Sequence, residues 1–277
     1  MKFRVKERAI PNEGIYLKRM AGPLGDKIRV AKYIPKHAKS VLDVGCADGS
    51  VTLALAEIFP KIKFLGIDLN KHFLSRAAWQ AKTKKLKNVK FEKIYLRDLL
   101  ARFEKFDAVS FVSVLHEFFT YGEGISSVLK ALADAHELLK SGGEIIVRDM
   151  ILEEYAERTE FGVENILKKI SRRKNLLKLK RDFEKRFGKI KNIYRLNHFL
   201  LKYMYKENWL REGRENYVPV TFEEYENIFK LLGMELQFKD SYLLPYLKAK
   251  WQKDFGLNNE EILPFKSTGL LVARKTF

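Results

Sequence analysis

Cysteine is nearly absent from this sequence: Cys46 is the only one in 277 residues. That excludes an internal disulfide and a cysteine-built zinc site. No apolar run reaches the roughly 18 residues needed to span a bilayer. The opening stretch, residues 1–8, has no apolar signal core behind its basic residues. A cytoplasmic chain with no membrane attachment is expected. Glutamine is scarce, with only Gln80, Gln237 and Gln252 beside abundant Lys, Glu and Ile, a composition that suggests a heat-adapted source. Two phosphate-binding signatures are also missing. There is no Gly-x-Gly-x-x-Gly and no Gly-Lys-Ser/Thr, so the usual dinucleotide and P-loop sites are excluded.

Acidic residues are in deficit. Lys and Arg number 53 against 35 Asp and Glu, a formal charge of +18. A charge of this size favours polyanionic partners, nucleic acid or an anionic membrane. The excess is localised: residues 1–40 carry +8 and residues 158–216 carry +11, leaving the rest at −1. A uniformly Lys-rich surface would spread it evenly.

What is present is an alternation of short apolar runs and helical stretches, the pattern of a parallel α/β sheet. Strands are expected at Val41–Val44, Phe64–Asp68, Val89–Ile94, Phe106–Val114, Glu144–Asp149, Glu235–Tyr242 and Gly269–Arg274. Helices fit at Ser50–Phe59, His72–Lys85 and Ile125–Leu139, the last closed by Ser141-Gly-Gly as a glycine C-cap. Thr221-Phe-Glu-Glu reads as a capping box opening a further helix that ends at Gly233. Residues 151–216 break the alternation. They are basic and rich in helix formers, and are expected to form two or three helices inserted between strands five and six. The expected organisation is a basic N-terminal segment (1–37) on the acceptor side, a core (38–150 and 217–277) and the basic helical insertion.

Strand one runs into Asp43-Val-Gly45-Cys46-Ala47-Asp48-Gly49. Glycines after a strand let the backbone turn tightly and approach a ligand. Strand two ends in Asp68, and Asp98 follows strand three. Ser113-Val-Leu-His-Glu follows strand four, and Leu138-Leu-Lys-Ser-Gly-Gly-Glu precedes strand five. This ordered set resembles the class I (Rossmann-like) S-adenosylmethionine-dependent methyltransferases, over residues 38–150 and 219–277. Ala47 stands where the middle glycine of that family's first motif would be.

The resemblance implies a seven-stranded, mostly parallel Rossmann-like sheet, S-adenosylmethionine as cofactor and no metal. Asp68 would accept from the two ribose hydroxyls and Asp98 from the adenine amino group, with Leu69 and Leu99 on the ring faces. Gly45, Cys46, Ala47 and Gly49 would line the methionine part. Asp43 would hold its amino group, directly or through water, and Ser113 completes the cofactor set.

On the acceptor side, His116 and Glu117 stand directly after strand four. Either could take a proton from the acceptor. Phe118, Phe119 and Tyr121 could stack a flat acceptor, or be ordinary core residues. Pyrimidine C5 methylation needs a cysteine nucleophile, and Cys46 sits in the cofactor turn, so that chemistry is excluded. Radical methylation lacks its iron–sulfur cysteines. The Asn/Asp/Ser-Pro-Pro-aromatic motif of many amino methyltransferases is absent too, replaced by Val114-Leu-His-Glu-Phe-Phe.

Basic segments interleaved with aromatics suit a structured RNA. Arg172, Arg173, Lys174, Lys180 and Arg181 form the richest cluster, and Lys18 and Arg19 belong to a second. The leading expectation is an RNA methyltransferase, ribosomal RNA first and transfer RNA second. The whole chain is similar to archaeal ribosomal-RNA cytidine-N4 methyltransferases. Two alternatives stand beside it: a small-molecule methyltransferase with the insertion as a lid, and a non-catalytic RNA-binding protein on the same fold.

Overall fold

A computed structural model of the chain describes Gly14 and residues 23–276. They divide into two compact units. The first comprises the described residues up to 149, with 226–239 and 270–276; the second comprises 150–225 and 240–269.

The sheet has seven strands: β1 (Ser40–Val44), β2 (Lys63–Asp68), β3 (Val89–Lys93), β4 (Phe106–Val112), β5 (Leu139–Asp149), β6 (Met234–Tyr242) and β7 (Thr268–Lys275), in the order β3-β2-β1-β4-β5-β7-β6. The pairs β1–β2, β1–β4, β2–β3 and β4–β5 are parallel. All seven residues of β4 are buried, as are four of the five in β1. Strands covered on both faces lose the polar alternation of an edge sheet, which is why they read as short apolar runs.

In the first unit the crossovers are α1 (Ser50–Ile58), α2 (Lys71–Thr83), α3 (Leu115–Tyr121) and α4 (Ile125–Leu138). Asn70 caps α2 by accepting from the Phe73 amide. The core joins Val41, Phe64, Ala108 and Ile146 of the sheet to Leu53, Leu55 and Ala56 of α1 and to Val30 and Ile34.

One expected boundary is corrected. Ser141-Gly142-Gly143 does not cap a helix. Instead α4 stops at Leu138 and β5 begins at once, with an irregular register between the Phe106–Leu139 and Ala108–Glu144 pairs. Gly142, at φ +73°, takes up the bend inside the strand.

The second unit is helical. It holds α5 (Val163–Ser171), α6 (Leu177–Phe187), α7 (Ile193–Lys202), the start of α8 (Phe222–Leu231) and α9 (Pro245–Phe255). Buried residues surround α7 on every side, as expected of a helix at the centre of a core. Leu196, Phe199 and Leu200 pack there with Ile166, Phe183, Trp251 and Phe265. The predicted capping box is present: the Thr221 amide donates to Glu224 Oε2 (2.7 Å) and the Glu224 amide to Thr221 Oγ1 (3.3 Å). Residues 240–269, placed with the core by sequence, belong to this unit through Trp251, Phe255 and Phe265. No described helix is long and apolar enough to cross a membrane.

Candidate active site at the carboxyl ends of β1 and β4

The chain fills the sheet outward from β1 through β2 and β3, then crosses back to β4 and β5. The order therefore reverses between β1 and β4. In open α/β sheets the carboxyl ends flanking such a reversal frame a ligand crevice.

The turn after β1 is held by its own neighbours. The amides of Gly45 and Cys46 both donate to Ile67 O (2.8 and 3.0 Å). The Ala47 amide donates to Asp68 Oδ2 (2.8 Å), and the Asn70 amide to Asp68 Oδ1 (2.8 Å). Asp68 thus fixes two turns at once. Gly45, Ala47 and Gly49 all have positive φ, at +69°, +48° and +73°. A Cβ on Gly45 would fall 2.3 Å from Val114 Cγ2, and one on Gly49 would fall 2.7 Å from Ala77 and Phe91. Both glycines are dictated by packing as well as by φ. Ala47 adopts a positive φ despite its methyl group, so the middle glycine is dispensable.

Asp43, buried beneath this turn, accepts from Thr52 Oγ1 of α1 (2.6 Å) and Ser110 Oγ of β4 (3.0 Å). Burial raises its carboxyl to about 6, against those two hydrogen bonds and the nearby Lys27. Lys27, also buried, is pulled down to about 8 by burial and by Arg148. Cys46 packs inward with Sγ 3.9 Å from Ala47 O. Burial and the Asp43 and Asp68 carboxylates push its thiol well up, so it is no nucleophile.

Leu69, directly after β2, is half-buried, and Asp98, beyond β3, is exposed. Leu99, expected on a ring face, is fully buried and offers no surface to a ligand. It turns inward because the segment Leu96–Arg102 is a 3-10 helix, which buries Leu96 and Leu99 together.

The β4 end carries the titratable chemistry. Ser113 (φ +58°) donates its amide to Arg148 O (2.7 Å) and accepts at Oγ from Arg148 Nη1 (2.8 Å). Arg148 also pairs with Asp26. His116, in the first turn of α3, is gripped twice by Asp149 at the end of β5. Its amide donates to Oδ2 (3.2 Å), and its Nδ1 lies 2.8 Å from Oδ1. Both residues are buried. A carboxylate only accepts, so Nδ1 carries the proton and Nε2 is the basic nitrogen. Glu117 is half-buried beside it. Phe118 meets Phe111 of β4 edge-on (6.4 Å between centroids), and Phe119 and Tyr121 are half-buried.

The structure thus gathers Asp43, Gly45–Gly49, Asp68, Leu69, Ser113, His116 and Glu117 at adjoining strand ends of the first unit. Arg172, Arg173, Lys174, Lys180 and Arg181 belong to the second unit. Lys18 and Arg19 lie outside the described residues. Sequence reading missed Asp149, Arg148 and Asp26. A charged pair directly after the apolar run Ile145–Val147 was the available signal for the first two.

The residues fit a nucleoside-bearing sulfonium. A glycine turn, a carboxylate after each of the next two strands and a buried acid beneath the turn are groups that its methionine, ribose and adenine parts would need.

Comparison with known proteins agrees. A family model described as a methyltransferase domain matches residues 35–210. The chain is similar in structure to an O-methyltransferase family 2 protein from Planctomyces limnophilus solved with apigenin (14% identical, TM-score 0.57, covering 96% of this chain and 62% of that one). It is also similar to an O-methyltransferase family protein from Burkholderia thailandensis (13% identical, TM-score 0.54, covering 99% and 65%). An uncharacterized protein from Rickettsia prowazekii is 33% identical over 75 residues, 27% of this chain and 30% of that protein. This chain therefore spans under two thirds of these proteins' lengths. The family match takes in well over half of the chain, which belongs to the methyltransferase domain family, whose members of this fold use S-adenosylmethionine as methyl donor.

Proposed function

We propose that this protein methylates a hydroxyl of a small organic acceptor, with His116 as the general base. The observation that carries this reading is the Asp149-held imidazole at the end of β4. A hydroxyl must lose its proton as it is methylated, and an imidazole fixed through Nδ1 presents Nε2 to take it. Asp149 sets the tautomer and stabilises the imidazolium formed. The apigenin-bound O-methyltransferase among the similar structures supports the same acceptor chemistry.

S-adenosylmethionine, when bound, supplies an activated methyl group on sulfur. Gly45–Gly49 would hold its methionine part, Asp68 the ribose hydroxyls, Asp98 the adenine amino group and Leu69 one ring face. Each Asp68 oxygen already accepts one amide, and a carboxylate oxygen can accept a second donor.

A ribosomal-RNA acceptor, including cytidine N4, is the second reading, favoured by the charge of residues 158–216. The segment after β4 lacks the Pro-Pro-aromatic element of many amino methyltransferases, which weighs toward the hydroxyl.

Methyl-labelled cofactor offered with a metabolite extract and with total RNA separates the two. Label is expected in small molecules; label confined to RNA overturns the first reading. His116→Ala is expected to lower kcat by about 10²–10⁴-fold while leaving the dissociation constant for S-adenosylmethionine unchanged. An unaltered kcat would remove His116 from the chemistry.

A further inference from the structure

The second unit carries a charge concentration that its own packing does not use. Between Arg172 and Lys191 there are ten Lys and Arg against Asp182 and Glu184. Lys180 and Lys189 both pair with Glu184. Among the described residues, the other eight cations form no ion pair. Lys178, Arg181 and Lys185 are exposed along one stripe of α6, three and four residues apart. The opposite side of that helix, Leu179 and Phe183, is buried. Ordinary surfaces interleave the two signs, and an unneutralised run of one sign repels itself.

Two further features choose the partner. An amphipathic helix that enters a membrane needs an apolar face to insert. The apolar face of α6 is already spent in its own core, so the face offers charge without insertion. Beside the basic run stands an exposed aromatic ring. The Ile193 amide donates to Thr159 O (2.7 Å) and Asn192 Nδ2 to Glu157 O (2.7 Å), tying residues 157–159 to the segment that follows Lys189 and Lys191. Two residues beyond Thr159, Phe161 is 92% exposed. An apolar ring in water next to a basic surface suits an unpaired base, which RNA loops supply and duplexes do not.

We propose that this face is an RNA-docking surface. The α6 stripe and Arg172–Lys174 neutralise backbone phosphates, and Phe161 stacks an unpaired base. The proposal does not depend on which acceptor takes the methyl group.

The test uses the full chain and a fluorescein-labelled 20-nucleotide RNA hairpin with an open loop. Fluorescence anisotropy is read from 50 to 300 mM salt. The wild type is expected to bind with a steep salt dependence. K178E/R181E/K185E should weaken binding at least tenfold and flatten the log–log salt slope by about 2–3, the share of three phosphate contacts. Phe161→Ala should weaken it about fivefold or more without changing that slope. All four positions are exposed, and unchanged thermal unfolding of each variant would show that folding is intact. No binding at 50 mM salt, equal binding by the charge-reversal variant, or binding of phosphatidylserine vesicles or duplex DNA as tight as that of the hairpin would overturn the proposal. Phe161→Ala decides the stacking half independently should the triple variant unfold.

Discussion

Asp43 shows how a single buried carboxylate can couple to a cationic ligand. Its folded pKa, about 6, lies above the ordinary carboxylate value. The folded chain therefore holds a proton that the unfolded chain has lost between about pH 4 and 6. Across that window the Asp43 contribution to stability falls as pH rises. A cationic ammonium nearby reverses the preference and draws the proton off. Cofactor affinity measured by calorimetry is expected to tighten from pH 5 to pH 7, and Asp43→Asn to remove most of that slope. A flat wild-type profile would show that Asp43 does not sense the methionine end.

Gly45 gives a second test at this scale. Gly45→Ala meets both a positive φ and the Val114 methyl 2.3 Å away. It should destabilise the chain by about 2–4 kcal/mol in urea titration. In a Val114→Ala background the same change should cost only about 1–2 kcal/mol, the backbone share. Equal costs in both backgrounds would mean that packing is not what demands the glycine.

Among the elements, those with local chemistry were the legible ones. The α8 cap at Thr221 and Glu224 was readable because both partners sit within four residues of each other. Thr221→Ala should lower stability by about 1 kcal/mol by chemical denaturation. The end of α4 was misread because Gly142 is as suited to a strand bend as to a helix C-cap; pairing with β4 decides between them. Strands β1, β2 and β4 were found to within two residues, since burial on both faces writes an apolar run into the sequence itself, whereas β5 was found only from Glu144, five residues after its start. Asp68 and His116 were visible as residues at strand ends. Asp149 was not, because its partner lies 33 positions away and nothing local announces the pairing.

At the scale of the whole molecule each unit is assembled from separate stretches of the chain. The helical unit is built from residues 150–225 and 240–269, and Trp251, Phe255 and Phe265 complete its core. A fragment spanning 150–225 alone should lack a cooperative unfolding transition by circular dichroism; a sharp transition would show that α9 is dispensable. Inside that unit, Lys202 is buried against Phe187 (4.4 Å from the centroid) and Tyr217 (5.1 Å), donating to Glu215 O (2.5 Å). Burial lowers its ammonium to about 7, partly opposed by Glu215 and Glu212. The unfolded chain then binds more protons than the folded one between about pH 7 and 10.5. The wild type should gain thermal stability relative to Lys202→Met as pH rises through that window. A constant difference in Tm would mean that the buried ammonium is not strained.

The sequence by itself determined the strand order of appearance, the glycine turn, the acids at the strand ends and the concentration of positive charge. Each of these is a property of residues near one another in the chain. Only the tertiary structure decided that Asp149 grips His116, that Val114 forbids a side chain at Gly45, that Leu99 faces inward and that the segment between β6 and β7 finishes the helical core. Those outcomes depend on contacts between distant segments, and hydrophobic packing chooses them without leaving a local mark.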